Sequence, residues 1–193
     1  MIALVVLAAG LSRRMGDDNK LLAQVGGIPL FHHALGAAIT SDIGPVYLVH
    51  GDTPLPCPAS VKSVRAGDAH MGQAHSLRAG IQAAQADGAA AAFVLLGDMP
   101  LICADTITAL ARKAQSKPSA IWRPSYQGKP GHPVYWPQPY FKDLLALGGD
   151  DGAKPVLLQS KDNIAILEWS DDSVVFDVDT PQALKEAQRR LCP

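Results

Sequence analysis

The chain has 193 residues, 48% of them hydrophobic, enough to bury one full core, and a single domain over 1–193 is expected. With 17 basic and 18 acidic residues the net charge is −1, so no overall field favours nucleic acid or an anionic membrane, and any attraction for a phosphorylated ligand has to be local. Three widely spaced cysteines (Cys57, Cys103, Cys192) without a C-x-x-C pair argue against a disulfide framework and a thiolate metal site, and the adjacent His32 and His33 would point apart on a helix.

The chain opens on "IALVVL" (2–7), a continuous apolar run rich in branched residues, the pattern of a strand buried on both faces. Gly10 and charged residues follow too soon for a spanning helix and no basic segment precedes the run, so neither a membrane anchor nor a signal peptide is expected and the expected location is the cytoplasm. A helix is predicted at 29–40, strands at 46–51 and 61–66, a helix at 72–86, and the strongest strand at 90–96 ahead of "GDMP". Further on come a helix at 104–115, strands at 119–124 and 132–136, a helix at 140–147, and strands at 163–169 and 174–178. A last helix is predicted at 181–191, with Thr180 as N-cap and Pro181 in its first position. Strand and helix alternate through the first half, which implies right-handed crossovers and a mostly parallel sheet with helices on both faces, an α/β three-layer sandwich of Rossmann-like type. From about 119 the pattern turns proline-rich and hairpin-like, so a small hairpin-rich lobe near 119–160 is expected over the crevice.

In such sheets ligands bind beyond the carboxyl ends of the strands. Two ends are therefore of interest: "AAGLSRRMGDDNK" (8–20) and "GDMP" (97–100). The first spends two glycines, two arginines and a lysine on one connection, more cations than a turn requires. Backbone N–H groups around Gly10 and Gly16 can face phosphate oxygens, with Ser12 as a donor and Arg14 and Lys20 as charges. The loop fits no Walker, dinucleotide or nucleophile-elbow spacing. A surface turn carrying solvated cations is the competing reading. Asp98 at the end of the strongest strand needs a reason, since an isolated buried charge is costly. Mg²⁺ bridging to phosphate oxygens supplies one, and a turn cap is the plain alternative. "FDVDTP" offers Asp177 and Asp179, expected on one face of a strand.

"LAAGLSRRMG" followed by Lys20 resembles the L-A-[AG]-G-x-S-x-R-M-G…K signature of the molybdenum cofactor cytidylyltransferases, within the MobA-like NTP transferase family. "GDMP" is similar to the family's G-D-x-P, with Met99 where Gln is frequent. "GKPGHPVYW" resembles G-x-x-G-H-P-V at Gly128, Gly131, His132, Pro133 and Val134, and "GGDDGAKPVL" resembles G-D-x-G-A-[RK]-x-L at Gly149, Asp150, Gly152, Ala153 and Lys154. The resemblance runs through the whole chain in order and implies the nucleotide-diphospho-sugar transferase type of fold. It implies that the cytidylyl group of CTP passes to the terminal phosphate of the molybdopterin cofactor, releasing pyrophosphate. It assigns nucleotide contacts to Ala8, Ala9, Gly10, Leu11, Ser12, Arg14, Lys20, Ser76 and Asp98, and catalysis to Arg14, Lys20 and Asp98. Asp98 and Asp179 become the Mg²⁺ ligands, and His132, Lys154 and Asp177 the pterin-side contacts. His132 as a packed histidine, Asp179 as a support of the last helix and Arg78 as a solvated helix residue stay open. Ala8-Ala9-Gly10 is the cytidylyl variant of this motif, where guanylyl members show A-G-G. A guanylyltransferase, a transferase using another phosphorylated acceptor, and a carrier delivering the cofactor to a molybdenum-dependent oxidoreductase are the alternatives. No nucleic acid or membrane partner is expected.

Overall fold

The computed structural model describes residues 1–10 and 19–191. In chain order the elements are β1 (Ile2–Ala8), the short strands β2 (Gln24–Val25) and β3 (Ile28–Pro29), α1 (Leu30–Thr40), β4 (Val46–His50), β5 (Lys62–Arg65), α2 (Gln73–Ala86) and β6 (Ala91–Leu96). There follow α3 (Ala104–Ser116), β7 (Ile121–Tyr126), β8 (Lys129–Pro130), β9 (Val134–Pro137), α4 (Phe141–Leu145), α5 (Lys154–Gln159), β10 (Ile164–Glu168) and α6 (Pro181–Leu191).

Period-two alternation sorts the buried strands onto two cores. Leu4, Val6, Phe93 and Leu95 point to one face and pack against Phe31 and Leu35 of α1 and Leu110 of α3. Ala3, Val5, Leu7 and Val94 point to the other, against Leu77 and Ile81 of α2, Phe141 and Leu144 of α4 and Val156 of α5. A strand covered on both faces has no polar side to alternate with, and β1 and β6 therefore read as unbroken apolar runs. On α3 the inward residues Ile107, Leu110, Ala111 and Ala114 follow the i, i+3, i+4, i+7 spacing of a one-sided helix. Gly80 lets α2 reach the sheet, because a Cβ there would lie 2.4 Å from Val5 Cγ1.

The main sheet runs β10-β7-β9-β6-β1-β4-β5, with β8 folded against β7. β1 pairs in parallel with β4 and β6, β4 with β5, and β10 with β7, whereas β9 is antiparallel to both β6 and β7. The result is a mostly parallel, Rossmann-like nucleotide-diphospho-sugar transferase fold. The hairpin-rich stretch after 119 is carried on this sheet: β7 and β9 extend it beyond β6, and Gln127 and Gly128, with φ of 49° and 75°, close the β7–β8 turn. Among the described residues no helix is long and apolar enough to cross a membrane.

The strand expected at 174–178 does not form. The chain makes a 3-10 turn at Asp172–Val174 and then crosses the carboxyl ends of the sheet in irregular backbone. Its amides and carbonyls are spent on loops of that crevice rather than on a ladder: Val178 N–H donates to Asp98 O at 2.9 Å, and His132 N–H donates to Val174 O at 2.8 Å. Val178 is buried with Val25, Leu30 and Ala187. Thr180 does cap the last helix, its Oγ1 accepting from Ala183 N–H at 3.1 Å.

Candidate active site

Lys20 begins a short 3-10 turn whose register is fixed from both sides. Asn19 Oδ1 accepts from Leu21 N–H at 3.1 Å, and Leu21 is buried against the α1 side of the sheet. Across the crevice Gly97 N–H donates to Leu7 O at 2.9 Å, continuing the β1–β6 pairing by one step and delivering Asp98 to the carboxyl edge. The Lys20 Nζ lies 2.8 Å from Asp98 Oδ2 and 2.5 Å from Asp179 Oδ1. Burial opposes the Lys20 charge, but the Asp98 charge and the hydrogen bonds to both carboxylates outweigh it and hold the ammonium above the usual lysine range. Asp177, beside this cluster, is held above the usual carboxylate range by desolvation first and by the Asp179 and Asp98 charges second, with Lys20 opposing. Lys20, Asp98 and Asp179 thus lie together with Asp177 beside them, and the two aspartates of "FDVDTP" reach this point from irregular backbone and not from one face of a strand.

A cavity of about 170 Å³ lies against this cluster, walled among the described residues by Ala9, Gly10, Lys20, Gln73, Ser76 and Asp98. Ser76 is buried on the first turns of α2, whereas Arg78 is exposed on its outer face. Ala8 points the other way, into the α1 core, whereas its neighbours Leu7, Ala9 and Gly10 line the cavity. Alternation along β1 turns the Ala8 methyl away from the cavity, so any contact of this residue with a nucleotide there would be made by its backbone. Leu11, Ser12 and Arg14, assigned to the same loop, lie outside the described residues.

A second cavity, about 270 Å³, adjoins the first and shares Leu7, Gln73 and Leu96 with it. Its wall holds His132, Lys154, Arg123 and Asp151. The loop before α5 is seated on the start of α2, where Ala74 N–H donates to Gly149 O at 3.2 Å. Gly72 makes that stacking feasible, with φ of 127° and a Cβ position only 2.3 Å from Gly149 O. His132 and Lys154, the latter from α5, thus line the same cavity. Asp177 is not in this wall and belongs with Asp98 and Asp179 instead.

Burial, followed by the positive charge of Arg123, pulls His132 down to about 4, while the Val94 carbonyl 3.5 Å from Nδ1 and the Asp98 charge act weakly the other way. Between about pH 6.5 and 4 the unfolded chain binds a proton at this residue that the folded chain refuses, so stability falls as pH drops through that window, by at most ~3 kcal/mol. Urea unfolding at pH 7 and pH 4.5 measures this, and His132→Gln is expected to flatten the difference.

Sequence reading missed Gln73, which both cavities share, and Arg123. A lone glutamine beside a glycine carries no pattern. Arg123 sits in an apolar strand where an outward-facing cation would look the same.

Two cavities thus meet beside a lysine held by two aspartates, at the carboxyl ends of a Rossmann-like sheet, and this fold is shared with a CMP:2-keto-3-deoxy-manno-octonic acid synthetase solved with CTP, with a TM-score of 0.77, 14% identity and 98% of each chain covered. Residues 4–164 match the model of the MobA-like NTP transferase domain, and the chain belongs to that family. It is 31% identical over 200 residues to the purine catabolism protein PucB of Bacillus subtilis (strain 168), covering 97% of this chain and 96% of that one. It is 28% identical over 198 residues to a protein of Natronomonas pharaonis named "Probable molybdenum cofactor guanylyltransferase", again covering 97% and 96%. The same fold recurs in a Mycobacterium tuberculosis protein solved in complex with manganese, with a TM-score of 0.78, 21% identity and 97% of each chain covered.

Proposed function

We propose that the protein transfers CMP from CTP to the terminal phosphate of the molybdopterin (molybdenum) cofactor, releasing pyrophosphate. The observation that carries this reading is the junction of the two cavities at Leu7, Gln73 and Leu96, next to the Lys20–Asp98–Asp179 cluster. The nucleotide takes the first cavity and the acceptor the second, so that the acceptor's phosphate meets the α-phosphorus. An acceptor phosphate oxygen forms the new P–O bond, the bridge between α- and β-phosphorus breaks, and pyrophosphate leaves with the electron pair. A phosphate monoester is ionised at neutral pH, so no general base is needed, and catalysis rests on positioning two anions and neutralising their charge. Lys20 faces the triphosphate, and Arg14, outside the described residues, is assigned to it through the motif alone.

The donor set suits Mg²⁺. Asp98 and Asp179 aim carboxylate oxygens at one point, where the Lys20 ammonium already shows that positive charge is accommodated. Two carboxylates with substrate phosphates completing the shell is the usual Mg²⁺ arrangement, whereas a closed protein cage is not. The ion would draw charge from the α-phosphate; orientation of the nucleotide remains the task of Lys20, Ser76 and the Ala9–Gly10 backbone.

For the base, Ala9 supports CTP. Ala9 lines the first cavity at the place where guanylyl members of the motif have glycine. A contact of that size discriminates by ~1–3 kcal/mol. Ala9→Gly is expected to shift the CTP:GTP ratio of kcat/KM toward GTP by about tenfold, measured by initial rates with each nucleotide.

The function itself is tested by pyrophosphate release from purified protein, Mg²⁺ and molybdenum cofactor with CTP, GTP, ATP and UTP in turn. Release with CTP alone is expected. A preference for GTP would keep the reaction and overturn the base, in line with the name of the Natronomonas relative. Binding of the cofactor without release from any nucleotide would overturn transfer and leave a carrier that hands the cofactor to a molybdenum-dependent oxidoreductase.

A further inference from the structure

The second cavity contains a cation that has no counter-charge among the described residues. Arg123 stands in its wall on β7, partly buried, with Nη2 donating to Gly131 O at 3.1 Å. Its Nε is shielded from solvent and meets no hydrogen-bond acceptor, and among the described residues no carboxylate pairs with the guanidinium. The contrast with Arg65, Arg189 and Arg190 is informative: each has a carboxylate at 2.6–2.9 Å. Desolvation without a partner costs several kcal/mol per ion, far more than a surface pair returns. The surroundings do not supply the missing charge. His132 in the same wall is neutral near pH 7, Lys154 adds a second positive charge, and Asp151 is exposed and unpaired with Arg123.

The geometry points to Arg123 as the anchor for a phosphate monoester in this cavity, with Lys154 as the second cation. A guanidinium with its planar fork suits two oxygens of one phosphate better than a single ammonium does. The inference rests on the reading of this cavity as the acceptor site and deepens it: Arg123 would hold the acceptor's own nucleophilic phosphate at the junction with the nucleotide. In that role it is a binding and positioning residue, tuned to the acceptor and indifferent to the base.

Isothermal titration with inorganic phosphate, alone and with a non-hydrolysable CTP analogue filling the first cavity, separates the outcomes. Wild type is expected to bind one phosphate in the presence of the analogue, Arg123→Gln at least about tenfold more weakly, and Arg123→Lys in between. Thermal melts of each variant check that the Gly131 contact has not been lost with the fold, and Arg123→Lys carries the comparison if the glutamine variant does not fold. Equal phosphate affinity in wild type and the folded variants, or no phosphate bound by wild type, overturns the anchor. In steady-state assays Arg123→Gln is expected to raise KM for the molybdenum cofactor by about tenfold or more while KM for CTP stays within about twofold. Transfer with an unchanged cofactor KM overturns the anchor and leaves the proposed function standing. Arg123-dependent phosphate binding without any transfer by wild type does the reverse.

Discussion

Lys20→Ala is expected to lower kcat/KM for pyrophosphate release by about 10²–10³-fold, the loss typical of removing one preorganised donor from developing anionic charge. Two consequences act together. The triphosphate loses a cation held at a fixed place, and Asp98 and Asp179 lose the group that now stands 2.8 and 2.5 Å from them, so like charges face the incoming phosphates. The ammonium is charged throughout the working pH range, because the Asp98 charge and both hydrogen bonds more than offset its partial burial. The fold is expected to survive. The two carboxylates are 22% and 41% exposed and can be hydrated once the lysine is gone, whereas the anchoring of this segment rests on Leu21 in the core and on Asn19. Activity and a thermal melt measured on the same preparation decide the matter: a variant keeping most of its kcat removes Lys20 from the mechanism, and one that melts far below wild type shows that the lysine is structural.

Much of this site is legible in the sequence because its parts lie at ends of strongly patterned elements. "IALVVL" and "AAAFVLL" are apolar without interruption, so both strands and their carboxyl ends follow from composition alone, and with them the placement of Gly10 and Asp98. Asp179 follows from the motif but its support does not. The apolar run "VVFDV" reads as a strand although Val174 and Val178 are buried in irregular backbone with no neighbouring strand to pair with, and apolar content alone does not distinguish these cases. Helix α5 escaped notice because six residues starting with Lys154-Pro155 are too few for a helical period. Arg123 was out of reach for a different reason. Its meaning lies in what does not face it, and the absence of a paired carboxylate among the described residues is a tertiary fact assembled from β6, β7 and β9.

Asp98→Asn is expected to have the larger effect of the two aspartate substitutions, about 10³-fold on kcat, without recovery at high Mg²⁺. The neutral amide keeps the shape of the side chain, and the main-chain carbonyl of residue 98 still accepts from Val178 N–H, so the segment carrying Asp177 and Asp179 stays across the crevice. What is lost is the one carboxylate fixed by the sheet itself. Asp98 follows directly on β6, at a step where Gly97 is still paired to Leu7, and its position tolerates little adjustment. Asp179 differs in just this respect: it is more exposed, sits in irregular backbone, and is replaceable in part by water in a shell that Mg²⁺ normally keeps partly hydrated. Asp179→Asn should therefore raise the Mg²⁺ concentration needed for half-maximal rate by about 10–100-fold and recover much of its rate at saturating metal. Rate against Mg²⁺ concentration for the two variants checks the asymmetry. If Asp98→Asn recovers at high Mg²⁺ and Asp179→Asn does not, the roles are exchanged, and the irregular segment rather than the sheet edge sets the position of the transferred phosphate.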